Sequence, residues 1–273
     1  MEEKLLQMKS LVEKLNQASD SYYNGKGELM TDYEWDALFD QLKRLEEETG
    51  EILPDSPTNR VSEDSIVGKK EEHEFAALSL AKTKQVSDLV KWAEDRPIWI
   101  SWKLDGLTLV VTYNGGKLTK IVTRGNGHIG TNITHLAPAI SGIPATISEK
   151  GHLVVRGEAV ISYADFEQFI IESEGDYANP RNLASGSLTL KDIDEVKQRH
   201  IQWIPFTLVY TERELTSWGE RMQMLKDLGM NPVERERIDH PTTENIQLEI
   251  DKFTEKVTSK KNPFPVDGLV ICY

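Results

Sequence analysis

Residues 98–113 constrain this chain more than any other stretch. Ile98, Ile100 and Trp102 alternate with Trp99 and Ser101, and Leu107 to Tyr113 is rich in aliphatic and β-branched residues. Period-two alternation and β-branched enrichment both specify strands, so a strand is expected on each side of Lys103-Leu104-Asp105-Gly106. If the first strand continues through the tetrapeptide, Lys103 and Asp105 share a face. That sets an amine beside a carboxylate, one way of making a lysine nucleophilic. An exposed lysine is protonated near neutrality and inert, so attack requires burial or a neighbouring cation to lower its pKa. Taken alone, the tetrapeptide reads as a strand-end ion pair with Gly106 at a turn. A Lys-x-Asp-Gly match arises by chance in about one chain in twenty of this length.

The flanking sequence sets the fold class. Leu5, Met8, Leu11, Val12 and Leu15 recur at helical spacing. A second helix is predicted to start at a capping box, Thr31 with Glu34, and to run through Trp35, Leu38, Phe39, Leu42 and Leu45. Pro54-Asp55-Ser56-Pro57-Thr58 is a loop, and the polar stretch from Val61 to Glu72 is the expected hinge or linker. Further on, Asn114-Gly115-Gly116 reads as a hairpin turn. Leu153-Val154-Val155, Ile201 to Tyr210 and Gly268 to Tyr273 read as strands. Tyr163 to Ser173, with Phe166, Phe169 and Ile170 on one face, and Ser217 to Leu228, closed by Gly229, read as helices. Strands and helices interleave without regular βαβ spacing, so an α+β fold with a mixed or antiparallel sheet is expected rather than a doubly wound one.

With 273 residues, 38% hydrophobic and 28% charged, the chain can bury a substantial core. No apolar run is long enough to span a bilayer, and Met1-Glu2-Glu3-Lys4 does not open a signal peptide, so a cytoplasmic location is the expectation. The single Cys272 permits neither an internal disulfide nor a cysteine-built zinc site. A net charge of −13 argues against tight nucleic-acid binding by these residues. The best cationic cluster is only Lys256 to Lys261.

Three further elements carry chemistry. Arg124 follows a strand and precedes glycine, where a guanidinium can meet a phosphate or ribose. Glu158, in Val155-Arg156-Gly157-Glu158, sets a carboxylate at a strand end, suited to ribose hydroxyls or a metal. Asp267-Gly268 enters a buried strand and offers a ligand for a divalent cation. Each also has a plain reading: a turn, a surface ion pair, a strand start.

In this order the motifs resemble those of the NAD-dependent bacterial DNA ligases, over essentially the whole chain. Lys103-Leu104-Asp105-Gly106 matches that family's nucleophile motif. Thr123-Arg124-Gly125, Val155-Arg156-Gly157-Glu158 and Asp267-Gly268 match the motifs that follow it. Ala178-Asn179-Pro180-Arg181-Asn182, continuing to Gly186-Ser187-Leu188, looks like a family signature, as do Pro54 to Thr58, His73-Glu74 and Leu78-Ser79-Leu80. The resemblance implies a helical domain over 1–65 that binds the nicotinamide mononucleotide end of NAD. It implies a nucleotidyltransferase domain over 66–273, of the DNA ligase and mRNA-capping type. Lys103 would attack the α-phosphate of the AMP moiety, with Asp105 beside it, and hold AMP as a phosphoramidate for transfer to a DNA 5′-phosphate. Tyr22, Tyr23, Asp32, Trp35, Asp36, Ser79, Leu80, Ser101, Arg124, Glu158 and Arg181 would contact NAD. Asp267 and Glu158 would hold Mg2+ or Mn2+. The family's OB-fold, zinc-finger, helix-hairpin-helix and BRCT parts have no counterpart in these residues. Nicked DNA is therefore expected to be gripped mainly elsewhere, with this chain a monomer that self-adenylates but does not seal nicks efficiently.

Some positions depart from the family. Ser101 stands where glutamate is usual, Asn126 where aspartate is, Thr189 where arginine is, and Cys272 where lysine is; Trp35 replaces a tyrosine. Losing two cations around one reacting phosphate is expected to weaken transition-state stabilisation by roughly several kcal/mol. Two alternatives follow: a divergent module that binds NAD or AMP without turnover, and an ATP-using relative, against which the helical N-terminal segment argues.

Overall fold

The computed structural model describes residues 2–23, 29–51, 53, 56–58, 68–77, 80–173, 177–190 and 192–273. Helices α1 (Glu2–Tyr23) and α2 (Asp32–Thr49) come first. They pack through Met8, Leu11, Val12, Leu15, Leu42 and Leu45, joined by Trp35, Leu38 and Phe39. The capping box at Thr31 forms as the spacing predicts, and Gly50, at φ 69°, closes α2. The buried Ser56 donates to Glu46 Oε1 (2.5 Å) and Thr58 to Glu46 Oε2 (2.7 Å). The end of the Pro-rich loop is thereby tied to α2 by a carboxylate rather than by apolar contact.

Strand β1 (Lys70–Glu72) leads into α3 (Val86–Ala93), β2 (Ile98–Leu104), β3 (Leu107–Asn114), β4 (Lys117–Thr123) and β5 (Ile129–Thr131). After a 3-10 turn at Thr134–Ala139 come β6 (Leu153–Val160), α4 (Tyr163–Ser173), α5 (Pro180–Ser187) and α6 (Ile193–Lys197). The chain continues through β7 (Gln202–Thr211), α7 (Trp218–Asp227), β8 (Arg235–Ile238), α8 (Thr243–Thr258) and β9 (Val266–Cys272). A four-stranded sheet runs β4-β3-β6-β7, a three-stranded sheet β8-β2-β9, and β1 pairs with β5. All these strand pairs are antiparallel, as the absence of βαβ spacing led us to expect. The main core lies between the sheets and their helices, around Tyr113, Leu136, Val155, Leu183, Trp203, Met222 and Phe253.

The structure corrects part of the sequence reading. The stretch read as linker contains β1, because Lys70, Glu71 and Glu72 pair with Thr131, Gly130 and Ile129. Its side chains are polar because the strand is short and mostly exposed. Residues 61–67 lie outside the described residues. Strand β9 is half-exposed rather than buried. Helix α8 was not anticipated, although it opens on a Thr242–Asn245 capping box and Ile246, Ile250, Phe253 and Val257 recur at helical spacing.

Candidate functional site

The nucleophile candidate sits where β2 meets a bulge in β9. Lys103 pairs with Gly268 and Leu104 with Val266, so Asp267 is the extra residue, opposed by none. A bulge bends its strand and re-aims a side chain, and Gly268 allows it at φ 141°, a region that glycine enters most easily. The result is an ion pair between Lys103 Nζ and Asp267 Oδ2. Both side chains keep about a third of their surface accessible (35% and 38%), so the amine is held without being sealed off.

Asp105 is not the carboxylate on Lys103. Strand β2 ends at Leu104, the Asp105 N–H donates to the Pro265 carbonyl (2.9 Å), and the Asp105 side chain pairs with Arg181 Nη1 at 2.5 Å. The expectation that the two residues face each other fails because the strand does not continue through the tetrapeptide. Arg181 stands in the first turn of α5, where Asn179 caps through its side chain and Pro180 occupies the first helical position. A cation there opposes the helix dipole, and Asp105 offsets it.

Glu158 anchors the opposite sheet. It lies directly across from Thr108 on β3. Its Oε2 accepts from the Thr108 hydroxyl (2.8 Å) and its Oε1 from the Gly106 N–H (3.1 Å). Burial pushes its carboxyl up to about 7, against the pull of those two donors and of Arg181. Gly106 is required here, since a Cβ would lie 2.1 Å from the Ala159 carbonyl oxygen. The Asp-Gly of the tetrapeptide therefore serves two partners: Asp105 holds Arg181, and Gly106 lets the backbone reach Glu158.

Arg124 begins the turn from β4 to β5. Its Nε donates to the Ala77 carbonyl (3.1 Å), while its own carbonyl meets His73 Nε2 (2.9 Å). Arg156, two residues before Glu158, donates to the carbonyls of Phe75 and Ala76. The strap before Leu80 is thus tied down by two guanidiniums, and burial first, then the charge of Arg124, lowers the pKa of Arg156. Arg156 and Thr108 are site residues that sequence reasoning missed, although Arg156 stood inside a matched motif. Asn126, read as a lost charge, supplies the same acceptor oxygen an aspartate would: its Oδ1 takes the N–H groups of His128 (3.0 Å) and Ile129 (2.8 Å).

Ser101 is buried on β2, paired with Val270 on one side and Arg235 on the other. Thr189 donates its hydroxyl to the Gly186 carbonyl (2.7 Å), closing α5. Cys272 pairs with Trp99, and burial pushes its thiol up to about 11, so it is neutral where the resemblance led us to look for a cation. Trp35 stacks on Phe39 (4.8 Å between centroids) and donates its indole N–H to the Leu15 carbonyl (3.3 Å), which makes it part of the helical core. Leu80 is exposed. Ser79 and the side chains of Tyr22, Tyr23, Asp32 and Asp36 lie outside the described residues.

Asp267 and Glu158 do not make a magnesium site in this geometry. Asp267 faces Lys103, and both Glu158 oxygens are engaged by Gly106 and Thr108. Among the described residues, no three His, Cys, Asp or Glu side chains gather as a ligand set.

Comparison with known proteins fits this arrangement. The family model described as "NAD-dependent DNA ligase adenylation domain" matches residues 69–272, and "DNA ligase-like, N-terminal NAD+-binding domain" matches 1–62. Proteins named DNA ligase from Lachnoclostridium phytofermentans and Ruminiclostridium cellulolyticum are each 39% identical over the whole chain, which covers 42% of their length. "DNA ligase 1" of Clostridium acetobutylicum is 34% identical over 97% of the chain, again at 42% of its own length. A solved structure described as a putative ATP-dependent DNA ligase from Aquifex aeolicus overlays with a TM-score of 0.44 at 14% identity, over 73% of this chain and 47% of that one. The chain therefore spans less than half the length of the curated relatives it matches, and it belongs to the NAD-dependent DNA ligase family.

Proposed function

We propose that this chain is the self-adenylating part of an NAD-dependent DNA ligase. The observation that carries this is the Lys103–Asp267 ion pair at the β9 bulge: a half-exposed amine, held by a carboxylate, beside a second sheet bearing Glu158. Asp267 takes the proton from the Lys103 ammonium. The freed amine attacks the α-phosphorus of NAD, the P–N bond forms, and the P–O bond to nicotinamide mononucleotide breaks. AMP stays on Lys103 as a phosphoramidate, ready for transfer to a DNA 5′-phosphate. Such chemistry depends on in-line placement and charge neutralisation. Arg181, anchored by Asp105, and Arg124, anchored by Ala77, supply positive charge. Glu158, held between Gly106 and Thr108, serves the ribose rather than a metal. Ser101 and the Ser79–Leu80 strap contact the nucleotide, and Tyr22, Tyr23, Asp32, Trp35 and Asp36 receive the nicotinamide mononucleotide end.

The matches at 1–62 and 69–272 support a division into domains at 1–65 and 66–273. Among the described residues no helix is long and apolar enough to cross a membrane, which supports a cytoplasmic protein. The net charge of −13 supports a chain that leaves most of the hold on nicked DNA to other regions and acts as a monomer. Intact-mass measurement after incubation with NAD and a divalent cation tests the proposal. A gain of one AMP that disappears in Lys103→Arg is expected. No adduct under any metal would leave a nucleotide-binding module without turnover, the reading that neutral Cys272 favours.

A further inference from the structure

Among the described residues, one cation on the Lys103 face of the three-stranded sheet has no carboxylate partner. Arg235 on β8 lies directly across from Ser101, two residues before Lys103. Cross-strand partners share a face, so Arg235, Ser101 and Val270 form a row across the sheet, next to the row of Lys103 and Gly268. That face turns toward the four-stranded sheet. Trp99, two residues further back, meets Trp218 (6.2 Å), whose indole N–H donates to Phe206 of β7 (3.0 Å).

The acidic residues flanking Arg235 are on the other face. Glu236 pairs with Ile100, and Glu234 accepts from Trp102 Nε1 (2.8 Å) and pairs with Lys256. Arg237, in the next row, is neutralised by Asp239 (2.8 Å). Arg235 makes no ion pair among the described residues. Its one hydrogen bond is a long one, from Nη1 to the Val233 carbonyl (3.4 Å), and its buried Nε has no acceptor. A buried, unsatisfied donor costs free energy, and burial lowers the pKa of this guanidinium with no carboxylate to oppose it. Arg235 as a whole is only partly buried, so its guanidinium can take an acceptor that arrives from outside.

The rows locate that acceptor. At about 3.3 Å per strand residue, the Arg235 row lies roughly 7 Å from the Lys103 row, about the span of a ribose. If Lys103 meets the α-phosphate, the base lies along the Arg235 row against the part-exposed Val270, with its edge toward Arg235. We infer that Arg235 is a specificity-determining residue that reads the acceptor edge of the purine, so that the site accepts 6-oxopurine nucleotides alongside adenine ones. A guanidinium fork matches the O6 and N7 pair of a 6-oxopurine in bidentate fashion, whereas adenine offers it only N7 beside an amine.

This inference rests on the adenylation reading for the position of the phosphate, and calorimetric binding separates the two. AMP and inosine monophosphate are titrated into the wild-type chain, Arg235→Ala and Arg235→Gln, with thermal melting to confirm that each variant folds. Wild type is expected to bind the two nucleotides within about threefold of each other, and both variants to lose about tenfold or more for inosine monophosphate but much less for AMP. An unchanged ratio in the variants, an equal loss for both nucleotides, or no binding of inosine monophosphate by wild type overturns the inference. The same samples incubated with NAD report AMP on Lys103 independently. An adduct with an unchanged ratio sinks only the base reader, and a shifted ratio without an adduct sinks only the turnover.

Discussion

The two sheets that face each other across the site are built to different standards. On the four-stranded sheet, Glu158 is buried, both its oxygens are satisfied, and its backbone neighbours Gly106 and Gly157 are packed against a carbonyl and the ring of Trp203. On the three-stranded sheet, Lys103 and Asp267 are half-exposed, joined across an irregular register and dependent on one glycine at positive φ. The rigid face fixes where a ligand sits. On the proposed reading, the looser face carries the amine that loses a proton and forms a bond. Precision and reactivity are thus assigned to separate strands.

Three substitutions would break or sharpen that contrast. The largest effect is expected from Gly106→Ala, whose Cβ would lie 2.1 Å from the Ala159 carbonyl oxygen, an atom that cannot swing away as a side chain does. A loss of about 3 kcal/mol or more in urea-unfolding stability is expected. A loss below about 1 kcal/mol would show the four-stranded face to be as yielding as the other.

Glu158→Gln comes next. Burial raises this carboxyl to about 7 from the ordinary 4.5, so the folded chain holds the proton more tightly than the unfolded one. Its contribution is full below about pH 4.5 and is lost as pH rises toward 7, up to about 3 kcal/mol in the wild type. The amide can still accept from Gly106 and donate to Thr108 but cannot titrate. Its unfolding free energy should change less between pH 5 and pH 7 than that of the wild type. An identical slope in the two proteins would place the proton elsewhere.

The smallest effect belongs to Gly268→Ala. Nothing lies within 4 Å of the added Cβ, so only the backbone strain at φ 141° remains, about 1–2 kcal/mol. Adduct formation on Lys103 should suffer more than stability does. Equal loss of both would mean that the bulge serves folding rather than aim.

Much of this architecture was legible in the chain because local signals agreed with the tertiary result. The capping box at Thr31, the helix read from Ser217 to Leu228, the Asn114-Gly115-Gly116 turn and the alternation from Ile98 to Trp102 all recur in the structure. What stayed hidden depends on register between distant strands. No periodicity within residues 98–106 says that the partner of Lys103 lies 164 positions away rather than two, because a bulge in β9 decides it. Arg235 opposite Ser101 is hidden for the same reason. Strand β1 was missed because a three-residue edge strand with exposed side chains has no apolar face to announce it.

The bulge at Asp267 also governs parity along β9. Val266 is opposite Leu104, but beyond the extra residue it is Gly268, Val270 and Cys272 that stand opposite Lys103, Ser101 and Trp99. Even-numbered positions therefore change sides at a single point. Deleting Asp267 would remove the bulge and leave Val270 and Cys272 opposite Ser101 and Trp99, whereas one residue inserted between Gly268 and Val270 would turn Val270 and Cys272 away from the Lys103 face and bring Leu269 and Ile271 onto it. The count of residues from Gly268 to Cys272 is thus under tighter constraint than the side chains that fill it, and a length change there should be far less tolerated than a substitution beside it.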